Sequence, residues 1–324
     1  MMHDVEYAYA VARVRANELN LLSESDVEQL IAAEDYESVM RRLSEAGWGD
    51  VDSNTDYAEY LENYFAKTWD LLVEVMDDIH ELDLLLIRND MQNLKAALKS
   101  IVSQHDAKGL YVKSTVYDSF ALLNSVQNRD FKELPDFMQA PAMEAYDILT
   151  STGNGQLADA VIDKATLDRI LYLGKKSDSP VLAELAERMC ATANIKTALR
   201  CAKTLKEKDF IERSLCECDT ISKSKLVETA LEGEEAVLKY LADTDYSVGA
   251  DMFKKSTSAF EKWCDDILME CVSKAKYTAF GIDPIVAYYV ARDAEIKTVR
   301  IILSAKINNL PADVIRERVR TLYV

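Results

Sequence analysis

No proline occurs before Pro135, and the whole chain of 324 residues holds only 5 Pro and 9 Gly. Proline breaks a helix interior because it lacks an N–H and its ring collides with the preceding turn, so a long proline-free stretch favours long helices. The apolar pattern agrees. Bulky residues recur three and four apart, as in Tyr60, Tyr64, Trp69, Leu72 and Val75, or Leu182, Leu185 and Met189, which puts them on one helical face. Starts are marked too. Ser25-Asp-Val-Glu28 reads as a capping box, and Pro311 followed by Asp313 as a first turn suited to the helix dipole. The expected fold class is all-α.

Compared with itself, the chain repeats. Asn93-Leu94-Lys95, Asn194-Ile195-Lys196 and Glu295-Ile296-Lys297 follow one another at steps of 101 residues. Each sits in an amphipathic segment: Leu86 to Ile101, Leu185 to Leu205, and Val290 to Ile307. The beginning of the unit recurs as well, since Leu22-Ser-Glu-Ser25-Asp-Val27 parallels Ile221-Ser-Lys-Ser224-Lys-Leu226 at an offset of 199 residues. The intervening copy, around Phe131 to Leu149, is degenerate and is expected to be interrupted by Pro135 and Pro141. The period is far longer than the roughly 34 to 47 residues of common helical solenoids, so each unit reads as a small domain. Three tandem, pseudo-symmetric helical domains are expected, at 1–105, 106–206 and 207–324. Asn93, Lys95, Asn194, Lys196, Glu295 and Lys297 are read as a structural repeat signature that fixes packing or capping, and no partner surface is assigned to particular residues.

Charge excludes one class of partner. With 56 acidic against 38 basic residues the net charge is −18, which opposes the neutralisation of phosphates that nucleic-acid binding requires. The excess is concentrated: residues 1–105 hold 22 Asp and Glu against 8 Lys and Arg. Such a surface repels anionic lipid and attracts basic partners. The densest apolar run, Leu82 to Ile87, contains Asp83 and is too short to cross a bilayer. The N-terminus, Met-Met-His-Asp-Val-Glu, lacks the features of a secretion signal, so a soluble, cytoplasmic chain is expected. Cys190, Cys201, Cys216, Cys218, Cys264 and Cys271 hold no C-x-x-C and read as small buried side chains.

Catalytic patterns are sparse. Asp77-Asp78-Ile-His80-Glu81 and Asp265-Asp266-Ile-Leu-Met-Glu270 offer carboxylates four apart on expected helices, the arrangement by which an all-α isoprenoid synthase holds Mg²⁺ against a diphosphate. They lie 188 residues apart and have no neighbouring arginine pair, so they are read as solvated helix faces. Gly47-Trp-Gly49 and Gly153-Asn-Gly155 lack the remainder of a phosphate-binding loop. His3, His80 and His105 have no ligand-spaced Cys or His partner. No cofactor, metal or small-molecule substrate is expected.

The opening, Tyr7-Ala-Tyr-Ala-Val-Ala-Arg13-Val-Arg15-Ala-Asn-Glu18-Leu-Asn-Leu21-Leu22, resembles that of the C-subunit family of A/V-type ATPases, whose eukaryotic equivalent is the d subunit. So does the end, from Glu295-Ile-Lys297 through Arg300 and Lys306 to Leu310-Pro311 and Ile315-Arg316-Glu317-Arg318. Asp90-Met-Gln-Asn93-Leu94-Lys95 is similar to the family's first D-x-x-N-[LI]-K segment, and Asn194-Ile-Lys196 to the second, with Ala191 in place of the Asp. Glu295 stands where the family usually has Asn. The resemblance implies a funnel of three helical domains that performs no reaction. It also implies a socket that seats the central shaft, made of the D and F subunits, on the membrane proteolipid ring of a rotary ion-translocating ATPase. An all-α isoprenoid-synthase-like enzyme, or a helical scaffold unrelated to rotary motors, is the alternative reading of the same residues.

Overall fold

A computed structural model describes residues 7–49, 56–103 and 111–324; His3, His105 and the expected boundary at 105/106 lie outside them. Every regular element among these residues is helical. Residues 7–79 form α1 (Ala8–Glu18), α2 (Glu24–Ala32), α3 (Tyr36–Leu43) and α4 (Tyr57–Val75). Residues 80–248 form α5 (Asp83–Ser103), α6 (Ser119–Asn128), α7 (Asp136–Thr152), α8 (Gly155–Lys176), α9 (Pro180–Lys203), α10 (Lys208–Ser214), α11 (Lys223–Glu232) and α12 (Glu234–Ala242). After α13 (Ser247–Lys255) come α14 (Thr257–Ser273), α15 (Asp283–Ile307) and α16 (Ala312–Arg316). Among the described residues, no helix is long and apolar enough to cross a membrane.

The chain divides into two compact units, one made of residues 80–248 and one made of both chain ends, 1–79 with 249–324. In the unit of the chain ends, Leu22, Leu30, Ile31, Val39, Leu43 and Leu61 from the first segment share a core with Val299, Ile302, Leu303 and Ile315 from the last. Trp48 stacks on Tyr64 with ring centroids 4.0 Å apart. In the other unit α8 packs against α5, α7 and α9, burying Leu86, Leu94, Ile162, Ile170, Leu185 and Ile195.

Local signals explain where the helices begin and stop, with three corrections to the expectations above. The capping box at α2 uses Ser23 and Asp26, not Ser25 and Glu28: Ser23 Oγ accepts from the Asp26 N–H, and the Asp26 carboxylate accepts from the Ser23 N–H at 2.8 Å. Asp77 and Asp78 are exposed and lie beyond the end of α4, outside any α-helix. Pro141 does not interrupt its segment. It lies inside α7, which Pro135 precedes as N-cap, and burial of Met138, Ala142, Ala145, Tyr146 and Leu149 holds the helix across the one lost N–H bond. Gly153 ends that helix in a left-handed conformation, φ 67°, and Asn154 caps α8 by accepting from the Leu157 N–H. The Gly-Asn-Gly sequence is therefore helix punctuation.

Gly174 of α8 lets α9 approach closely, since a Cβ there would lie 2.4 Å from Ala186 Cβ. Overpacking costs about 1–3 kcal/mol and outweighs the helix-propensity gain of about 1 kcal/mol from replacing Gly by Ala. Gly174→Ala is therefore expected to lower the urea midpoint of unfolding; an unchanged or raised midpoint would show that the two helices separate without cost.

Candidate functional site

The repeated triplets fall on three of the four longest helices among the described residues: α5, α9 and α15, of 21, 24 and 25 residues. Asn93, Asn194 and Glu295 are all buried. A buried amide or carboxylate must be hydrogen-bonded or it costs more than it contributes. Each of these side chains meets that demand by gripping backbone.

On α5, Asn93 donates from Nδ2 to the Val112 carbonyl at 3.0 Å and accepts the Val112 N–H on Oδ1 at 2.9 Å. On α9, Asn194 donates to the Cys216 carbonyl at 2.9 Å and accepts the Cys216 N–H at 3.1 Å. Asparagine can hold both groups of one residue because its amide is at once donor and acceptor. Glutamate can only accept. On α15, Glu295 Oε1 accepts the Leu22 N–H at 2.6 Å, and its other oxygen takes the Arg292 guanidinium. Arg292, 3% exposed, also donates to Tyr64 and Tyr288 hydroxyls, each at 3.2 Å. Burial pushes the Glu295 carboxyl above its ordinary range, against the pull of Arg292 and the Leu22 N–H.

The lysines of the triplets do not behave alike. Lys95 bonds Asp163 of α8 at 2.7 Å; Lys297 bonds Asp265 of α14 and Asp293 of its own helix, each at 2.9 Å; Lys196 is exposed. Asp265 and Asp266 are not a solvated face. Asp265 takes Lys297 on one oxygen and Arg320 Nε on the other at 2.7 Å, and these two cations hold its carboxyl below the usual range although burial alone would raise it. Asp266 accepts the Thr321 N–H at 2.8 Å. Both carboxylates are occupied in anchoring the C-terminal segment. Among the described residues, no group of three His, Cys, Asp or Glu is arranged to hold a metal ion.

Sequence reasoning misses Arg292, although a signal for it exists: Asp90, Ala191 and Arg292 stand three residues before the three triplets, again 101 apart. Asp90 is fully buried, with Oδ1 accepting the Val116 and Tyr117 N–H groups at 3.1 and 3.0 Å and Oδ2 unpartnered. With Asn89 donating to the Ser114 carbonyl at 2.8 Å, α5 secures the non-helical stretch 112–117 at four residues. Arg15 of α1 is likewise absent from the sequence-derived set. It bonds Glu18 and donates to the Ala275 and Thr278 carbonyls at 2.7 and 2.9 Å.

The fold is an all-α scaffold in which the buried Asn93, Asn194 and Glu295 each hold backbone groups of a distant segment. A model of the ATP synthase (C/AC39) subunit family matches residues 10–318, and the chain belongs to that family. It is 24% identical to the C subunit of the V-type sodium ATPase of Enterococcus hirae, over 98% of this chain and 99% of the relative. It is 25% identical to the C subunit of the A-type ATP synthase of Methanocaldococcus jannaschii, over 96% and 85% of the two chains. With the C subunit of the V-type ATP synthase of Thermus thermophilus the identity is 22%, over 97% and 98%.

Two predictions concern the buried groups. Glu295→Gln keeps the acceptor for Leu22 but leaves Arg292 buried without its counter-charge, so a loss of about 3–5 kcal/mol is expected in chemical denaturation; a loss below about 1 kcal/mol would show that Arg292 finds another partner or water. Burial pushes the Asp90 carboxyl up to about 7. The native state then binds the extra proton between the ordinary carboxylate pKa of about 4 and about 7, so stability falls as pH rises through that window, by up to about 1.4 kcal/mol per unit. In Asp90→Asn, which cannot titrate, that part of the slope should vanish. Parallel pH–stability curves for the two proteins would refute the assignment.

Proposed function

We propose that this chain, a subunit of a rotary V/A-type ATPase complex, is its non-catalytic socket: it seats the central shaft, made of the D and F subunits, on the membrane proteolipid ring. The near-full-length match to the ATP synthase (C/AC39) subunit family carries this reading. The chain would lie on the cytoplasmic side, peripheral to the membrane through the complex. Within it, the three triplet helices would define three repeated units, 1–105, 106–206 and 207–324, each triplet helix gripping the backbone that leads into a shorter capped helix. Val112 lies ahead of α6, Cys216 ahead of α11 and Leu22 ahead of α2, which supports a repeated device.

A socket under torque needs rigid internal contacts and a partner surface of defined charge. In this reading the basic C-terminal segment contributes to the first and the acidic N-terminal segment to the second. Lys297, Lys306, Arg316 and Arg320 are engaged internally, Lys306 on the Ile31 and Ala33 carbonyls that end α2, and Arg316 on Glu28 at 3.0 Å. Glu24, Glu34, Glu37, Glu45, Glu59 and Asp70 remain exposed, available to basic helices of the shaft or to ring loops.

Association of the full chain with a purified D–F shaft subcomplex tests this by stopped-flow measurement. The association rate constant should fall several-fold between about 50 mM and about 500 mM salt, because screening shortens to a few Å over that range. No association at all would remove the socket role; association indifferent to salt would keep the role but assign the interface to apolar surface.

A further inference from the structure

Three of the chain's six cysteines converge where Asn194 grips the backbone, and nothing in the socket role uses them. Cys216 Sγ lies 3.8 Å from Cys218 Sγ, and Asn194 Nδ2, besides holding the Cys216 carbonyl, donates to Cys218 Sγ at 3.3 Å. Cys190, one turn before Asn194 on α9, lies beside Cys216 and donates its S–H to the Leu167 carbonyl at 3.4 Å. Cys190 and Cys216 are buried, whereas Cys218 is partly exposed. Its surroundings form an open cleft of about 620 Å³ that Glu212, Glu217 and Asp219 also line.

We propose that Cys216 and Cys218 are a peroxide-sensitive dithiol, in which a neutral hydroperoxide entering the cleft closes the pair to a disulfide. The contact between the two sulfurs lowers the Cys216 thiol and raises the Cys218 thiol, which the Glu187 and Asp219 carboxylates raise further. The attacking form is therefore the one in which the shared proton has moved to Cys216: there Cys216 donates to Asn194 Oδ1 at 3.5 Å and Cys218 accepts from Asn194 Nδ2 at 3.3 Å. With that proton on Cys216, the Cys218 thiolate attacks a peroxide oxygen. The O–O bond breaks, Cys218 becomes a sulfenic acid, and the departing hydroxide takes a proton to become water. Cys216 then attacks the Cys218 sulfur; the S–S bond forms, the S–O bond breaks, and the second hydroxide leaves as water with the Cys216 proton. Two thiols and one hydrogen peroxide yield one disulfide and two waters, and an external dithiol reverses the change. The carboxylates on the cleft favour this neutral oxidant over an anionic one such as glutathione disulfide. Closing the sulfurs from 3.8 Å to about 2 Å draws Cys218 away from Asn194 and loosens the grip on residues 215–222.

The test treats the full chain with hydrogen peroxide, blocks remaining thiols by alkylation after unfolding, and maps peptides by mass spectrometry. The expected result is four alkylated cysteines of the original six, a Cys216–Cys218 link that dithiothreitol reverses, and cleavage by a protease within 215–222 accelerated several-fold. Glutathione disulfide should act at least tenfold more slowly, and Cys218→Ser should keep Cys190 and Cys216 unlinked and the protease rate unchanged by peroxide. Six alkylated cysteines after peroxide, sulfinic acids without a Cys216–Cys218 link, or a dominant Cys190–Cys216 disulfide would each overturn the proposal.

Discussion

The Glu295 carboxylate, 1% exposed, is where the two ends of this chain are tied. A buried carboxylate needs a counter-charge and a hydrogen bond for its second oxygen, and Arg292 and the Leu22 N–H supply these. Leu22 is 273 residues away. The unit built from residues 1–79 and 249–324 therefore depends on contacts that form only after the whole intervening unit has been synthesised. Closing such a loop is entropically costly, though the cost grows only logarithmically with length, and it is met by several ties at once. Arg15 to the Ala275 carbonyl, Lys306 to the carbonyls ending α2, and Arg316 to Glu28 span 260 to 288 residues.

That closure changes how the charge of the chain is to be understood. Acidic residues near the start and basic residues near the end are in part each other's partners, as Glu28 and Arg316 are. Exposed pairs of this kind contribute little individually. The buried and half-buried ones, Arg292 with Glu295 and Arg320 with Asp265, are expensive to break because each would leave an uncompensated charge. What remains on the surface of α2, α3 and α4 is net acidic, while the last segment supplies internal rivets.

Exchange of Asn for Glu follows from what each grip must hold. Asn93 and Asn194 each hold both the N–H and the carbonyl of one residue. Glu295 holds an N–H alone and needs Arg292, the residue at the position of Asp90 and Ala191 in the other two segments. A carboxylate and a guanidinium thus replace an amide, and the substitution at one position of the pattern requires the substitution three residues earlier, on the same face of the helix.

The helical class, the 101-residue spacing and the polar residues of the triplets are legible in the sequence because periodicity and hydrogen-bonding capacity are local properties. The capping box shows where locality ends. Ser23 with Asp26 and Ser25 with Glu28 satisfy the same rule two residues apart, and Ser23 is the cap because Glu295 holds Leu22 immediately before it. In sequence Asp265 is indistinguishable from a solvated acid, since its partners Lys297 and Arg320 lie 32 and 55 residues away. Pro141 carries the local signature of a breaker, yet the burial of its helix against α8 outweighs one missing bond. Local sequence thus sets which segments are helical and which polar side chains must find a buried partner. Which partner each one found was decided by the tertiary fold alone, because pairing depends on distances between residues hundreds of positions apart.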